Sequence, residues 1–162
     1  VAPDGYNPEG RMGCESTVRL DVHSGFDVLD VIQAVGDHMA RRAGLDDESV
    51  HWCGVALRES VINAIKHGNC GDIRKRVFIQ FTVATDAAER GITVTVRDQG
   101  DGFDLERLPD PLAPENLLKS SGRGIFLMRN FMDDIALRRA PQGGMEVRMV
   151  KRAQASADPA IR

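Results

Sequence analysis

Glu59, Asn63 and Lys66 recur at intervals of four and three residues, and His67 and Gly68 follow them directly. Two glycine clusters come later, Asp98-Gln-Gly-Asp-Gly102 and Gly122-Arg-Gly124. On a helix, Glu59 and Asn63 stand one turn apart, so their polar heads can converge on one small volume. An Asn carbonyl is a hard oxygen ligand suited to magnesium, which keeps several waters and shares phosphate oxygens. Glu59 can then accept the proton of a hydroxyl that attacks a γ-phosphate, and Lys66 can meet a phosphate as a point charge. The same spacing also fits an ordinary i,i+4 pair on a wet helix surface. His67 near a helix C-terminus is favourable without any ligand.

Asp98 follows Ile92, Val94 and Val96 at a spacing of two, which turns it toward the buried side of a strand. A buried carboxylate needs a hydrogen-bond donor. The exocyclic amine of adenine would serve, with Gly100 and Gly102 letting backbone approach the ring. A tight turn in which Asp98 caps its own loop is the competing reading. Gly122-Arg-Gly124 precedes an apolar helix, whose first amides can bind phosphate oxygens, with Arg123 adding charge. A glycine-rich loop end with a solvated arginine is equally compatible.

The elements that must hold these residues can be read from periodicity. Val18, Leu20 and Val22 alternate as a first strand. Phe26, Leu29, Ile32, Val35 and Met39 recur at helical spacing, with Ser24 placed to cap the helix and Gly44 to end it. A second helix starts at Asp46 or Asp47 and runs to about His67. At about 100° per residue its apolar stripe is Val50, Cys53, Leu57, Val61, Ala64 and Ile65. Its opposite face carries Glu59, Asn63 and Lys66, flanked by Val55 and Ile62, as a pocket wall would be. Residues 76–84 and Ile92–Val96 alternate as strands. Residues 103–121, with prolines at 109, 111 and 114, are long for a connection and predict a functional loop able to cover a triphosphate. Gly124–Met132 predicts a short helix, and 134–139 with 145–151 a hairpin turned at 141–144. Helices paired in sequence and strands that do not alternate with them predict an α+β fold: a two-layer sandwich, helices on one face of a mostly antiparallel sheet.

The chain has 162 residues, 42% of them hydrophobic, enough for one domain with a core. Residues 1–14 and 153–162 predict flexible tails around a domain of 15–152. The net charge of -3 gives no reason to expect nucleic acid or an anionic membrane as partner. No stretch approaches the roughly 20 apolar residues of a membrane span, and the start shows no secretory pattern. Cys14, Cys53 and Cys70 are odd in number and lack metal-ligand spacing, which predicts free thiols in a reducing cytoplasm.

The ordered blocks resemble the N, G1 and G2 boxes of the gyrase, chaperone, histidine-kinase and mismatch-repair ATPase superfamily. Within it, Glu59-Ser-Val-Ile-Asn-Ala-Ile-Lys-His-Gly68, Asp98-Gln-Gly-Asp-Gly102 and Gly122-Arg-Gly-Ile-Phe-Leu-Met-Arg-Asn-Phe-Met-Asp133 resemble the bacterial anti-sigma-factor serine/threonine kinases. The similarity covers about residues 16 to 151. It implies the Bergerat ATP-binding fold, with Glu59 as general base, Asn63 as magnesium ligand and Asp98 as adenine reader. It also implies that Gly100, Gly102, Gly122 and Gly124 shape the pocket and its lid. The cofactors implied are ATP and Mg2+. The partners implied are a sigma factor and a small antagonist protein that accepts phosphate, and many members are homodimers. Some members carry an arginine two residues before the first glycine of the third box, where this chain has Ser120. Arg123 and Lys66 are the candidates for stabilising γ-phosphate charge instead. A nucleotide-binding module that sequesters a regulator without phosphorylating it is the alternative. A two-component histidine kinase is a weaker fit, because His38 lies on a single helix rather than on a dimerising pair.

Overall fold

A computed structural model of the chain describes residues 15–86, 88–101 and 128–154. Strand β1 (Ser16–His23) leads into a 3-10 turn (Phe26–Val28), helix α1 (Leu29–Arg42) and helix α2 (Asp47–Asn63). A π-helical turn (Ala64–Gly68) follows α2, and then come strands β2 (Arg76–Ala84), β3 (Gly91–Arg97), β4 (Asp134–Arg139) and β5 (Met145–Arg152). The five strands form one sheet in the order β1-β2-β3-β5-β4, every neighbouring pair antiparallel. The helices pack on one face, so the expected α+β sandwich is the observed architecture.

Alternation builds the inner layer. Val77, Ile79, Phe81 and Val83 of β2 are buried, as are Ile92, Val94 and Val96 of β3, while the residues between them face outward. All six residues of the expected α2 stripe, from Val50 to Ile65, are buried. Each of its Val, Leu and Ile side chains contributes about 1.5–3 kcal/mol when fully buried, so a polar substitution at one of these positions would loosen the motif helix from the sheet. Burial, with a smaller contribution from the charge of Asp37, pushes the Cys53 thiol up to about 12. Cys53 is therefore a core group rather than a reactive one.

The ends of the helices differ in how well local sequence marks them. Asp46 caps α2, its Oδ1 accepting from the Ser49 N–H at 2.7 Å. Gly44, at φ +80°, closes the segment after α1. The start of α1 departs from expectation. Ser24 caps neither the 3-10 turn nor the helix; its hydroxyl instead accepts from Asn69 Nδ2 at 3.1 Å. The 3-10 turn also rotates Phe26 away from the α1 stripe, leaving it 50% exposed, whereas Leu29, Ile32 and Met39 are buried. On the outer face of the sheet, arginines pair across strands: Arg76 with Asp21 at 2.7 Å, Arg138 with Glu146, and Arg97 over the Phe78 ring at 4.1 Å.

Candidate functional site

The stripe on α2 decides which way its other face points. With Val61, Ala64 and Ile65 turned into the core, Glu59 and Asn63 are half-buried and Lys66 and His67 exposed. Val55 and Ile62 beside them are half-buried too, giving the polar line its apolar margins. Ser60, next to Glu59, is fully inside, its hydroxyl donating to the sulfurs of Met128 and Met149 at 3.3 and 3.4 Å. That contact fixes the rotation of α2 against β5 and against the helical residues 128–131. Trp52, one face round the helix, stacks on Phe131 with ring centroids 3.6 Å apart and planes 4° off parallel.

The helix does not reach His67 as a regular α-helix. From Ala64 it widens into the π-helical turn, with the Asn69 N–H donating to the Ala64 carbonyl at 2.7 Å and Gly71 N–H to Ile65 at 2.8 Å. Such widened turns are rare and concentrate at functional sites. Here the extra residue per turn swings Gly68 against the end of β3.

Asp98 lies at that end, 4% exposed. Its Oδ1 accepts from the Gly100 N–H at 2.8 Å and the Met145 N–H at 3.1 Å, and its own N–H donates to Met145 O. The loop-capping reading of Asp98 therefore holds together with the buried placement. Among the described residues both hydrogen bonds to the carboxylate end on Oδ1. Three glycines make this packing possible. A methyl group at Gly68 would overlap the Asp98 carboxylate, one at Gly100 would overlap the Gly68 carbonyl, and one at Gly144 would overlap the Asp98 carbonyl. Gly144 also needs φ +83°.

The described structure thus brings the end of the first motif and the start of the second into contact, through Gly68, Asp98 and Gly100. Gly102, Gly122, Arg123 and Gly124 lie outside the described residues, as do the 103–121 segment, Ser120, Cys14 and both expected tails apart from residues 153 and 154. Sequence reasoning missed three participants. Gly144 reads only as a turn glycine. Met145 contributes backbone alone, which no side-chain pattern reveals. Asn69 reads as loop, yet it is fully buried, and the one sequence hint is its place directly after His67-Gly68. Among the described residues no cluster of three or more His, Cys, Asp or Glu is arranged for a metal ion.

The family described as the histidine kinase-like ATPase domain matches residues 27–151. The chain belongs to that family. It is 36% identical over 99 residues to the anti-sigma F factor of Bacillus subtilis, a match covering 59% of this chain and 64% of that relative. It is 27% identical over 148 residues to the serine-protein kinase RsbW of Staphylococcus aureus, covering 85% of this chain and 87% of the relative. The crystal structure of the RsbU and RsbW domains of a Mycobacterium tuberculosis protein shares the fold, with a TM-score of 0.60 and 14% identity over 85% of this chain and 32% of that one.

Proposed function

We propose that this chain is an ATP-dependent protein serine/threonine kinase of the anti-sigma type, which binds a sigma factor in one state and phosphorylates a small antagonist protein in another. The observation that carries the proposal is the seating of Gly68 against the Asp98 carboxylate. It supports a single site in which the motif helix and the adenine-reading turn share one wall. The relatives' names, anti-sigma F factor and serine-protein kinase RsbW, support the same chemistry and the same kind of partner.

In this reading Asp98 Oδ2 accepts from the adenine amine, because Oδ1 is already held by Gly100 and Met145. Asn63 is a half-buried amide oxygen donor on α2, a ligand that suits magnesium shared with phosphate oxygens, and Glu59 stands one turn before it. When bound, the ion neutralises charge on the transferring phosphoryl group. Asn63 orients the triphosphate, and Glu59 takes the proton from the incoming hydroxyl. Lys66 and His67, both exposed at the rim, contact phosphate. Gly100, Gly102, Gly122, Arg123 and Gly124 complete the pocket and its lid, with Arg123 and Lys66 supplying charge near the γ-phosphate. A cytoplasmic setting belongs to this reading and is supported by the free Cys53 and Cys70; among the described residues no helix is long and apolar enough to cross a membrane. A homodimer belongs to the same reading.

The test is phosphorylation of a candidate antagonist with Mg-ATP, wild type against Glu59→Gln. Loss of transfer with ATP affinity retained supports the assignment. Undiminished transfer by the variant rejects Glu59 as the base, and a wild type that regulates its sigma factor without any transfer favours the pure binding module.

A further inference from the structure

We infer that Asn69 is a positioning residue for nucleotide recognition, holding the Gln99 backbone so that Asp98 faces the adenine edge. The inference rests on the reading of Asp98 as adenine reader and deepens it.

Asn69 is 0% exposed, and its side-chain amide is matched at both ends. Oδ1 accepts from the Gln99 N–H at 2.8 Å. Nδ2 donates to the Ser24 hydroxyl at 3.1 Å and to the Arg76 carbonyl at 3.0 Å. Its backbone N–H closes the π-helical turn on Ala64. One side chain therefore ties four segments together: the end of the motif helix, the β1–α1 junction, the start of β2 and the turn after β3. The β1–α1 junction is also latched to the start of β2 by the Ser24 N–H donating to Lys75 O at 3.0 Å. The side chain of Gln99 returns the tie, its Oε1 accepting from the Arg76 N–H at 2.7 Å.

The consequence is directional. Gln99 is the residue between Asp98 and Gly100, so its amide sets the pitch of the turn that presents the carboxylate. Asp98 is already pinned by Oδ1 on one side and crowded by Gly68 on the other. Releasing Gln99 frees the turn to tilt, and a tilted Asp98 loses alignment with the adenine amine while phosphate contacts along α2 persist. Asn69 touches no nucleotide atom in this scheme and acts through Gln99 and Asp98. An unpaired buried donor and acceptor left by truncation are costly, so the arrangement is sensitive to one substitution.

The experiment compares the Kd of ATP with that of purine riboside triphosphate, which lacks the exocyclic amine, for the wild type, Asn69→Ala and Asn69→Asp. A hydrogen bond to a charged carboxylate gives the wild type a preference for ATP of about 10-fold or more. Asn69→Ala is expected to bring that preference to within about 2-fold, chiefly by weakening ATP. A lower folded fraction would weaken both nucleotides alike and leave the ratio unmoved. Asn69→Asp keeps the acceptor for the Gln99 N–H and is expected to retain most of the preference despite lower stability. Should the variants not fold, amide exchange in the nucleotide-free wild type decides: the Gln99 N–H is expected to be protected about 10-fold or more over an open turn amide. Full preference in Asn69→Ala, or an unprotected Gln99 amide, overturns the role of Asn69 alone. A wild type that binds both nucleotides equally overturns the adenine reading beneath it.

Discussion

At the junction of Gly68, Asn69 and Asp98 the chain answers its own polar groups, with paired amides and a pinned carboxylate packed against glycine. Earlier along α2 and its π-helical end, Glu59, Asn63 and Lys66 are treated differently: among the described residues no hydrogen bond engages their side chains. The first region is held by the chain's own groups, and the second has no such ties among the described residues. Preorganised groups recognise without paying for rearrangement, while loosely held groups can change protonation or coordination during a reaction. In the proposed kinase reading, the contrast corresponds to binding selectivity at one end of the site and turnover at the other.

Substitutions sharpen or break that division. Glu59→Gln should lower phosphoryl transfer by about 10²–10⁴-fold and leave ATP affinity within about 2-fold; an equal loss in both would merge the two regions into one. Asp98→Asn should act in reverse, weakening ATP binding by about 10–100-fold, read by calorimetry, with the rate at saturating ATP changed far less. Gly144→Ala probes the junction through the backbone. At φ +83° and against the Asp98 carbonyl, a methyl group should cost about 1–3 kcal/mol of folding stability in urea titration. It should also weaken ATP binding, whereas alanine at the exposed Gly143 on the same turn, strained at φ +91° but meeting no neighbouring atom, should cost stability while sparing the site.

The smallest effect lies outside both regions and sets a baseline. The side-chain hydrogen bond from Arg74 holds Asp72 at about 2, below the ordinary 3.8, and the Ser49 backbone N–H lowers Asp46. Both groups bind protons more readily unfolded than folded. Their contribution is complete above the ordinary carboxylate value and is lost as pH falls through the lowered ones. Asp46 is exposed and Asp72 lies at the surface, where solvent screens its pairing, so acid titration of the melting temperature between pH 5 and 2, compared with Asp72→Asn, should show only a slight difference.

Sequence periodicity anticipated the sheet well because Val77 to Val83 and Ile92 to Val96 obey a two-residue rule that burial alone enforces. The α2 stripe was equally legible. The start of α1 was not, since Ser24 had a stronger claim from Asn69, 45 residues away, than from the adjacent helix. Local capping rules weigh near neighbours only. The same limit hid Gly144, whose partner Asp98 is distant in sequence and adjacent in space. The widening after Asn63 escaped because nothing in the types of Ala64 to His67 marks a widened turn, and its contact partner Asp98 is distant in sequence.

Trp52 is the sole tryptophan of the chain, and its indole lies flat on Phe131, seven residues after Gly124. A shift of that short helical segment away from α2 would expose the indole to solvent and alter its emission. The unlabelled protein therefore carries an intrinsic optical gauge, able to time movement beside the third motif in a stopped-flow instrument without a dye.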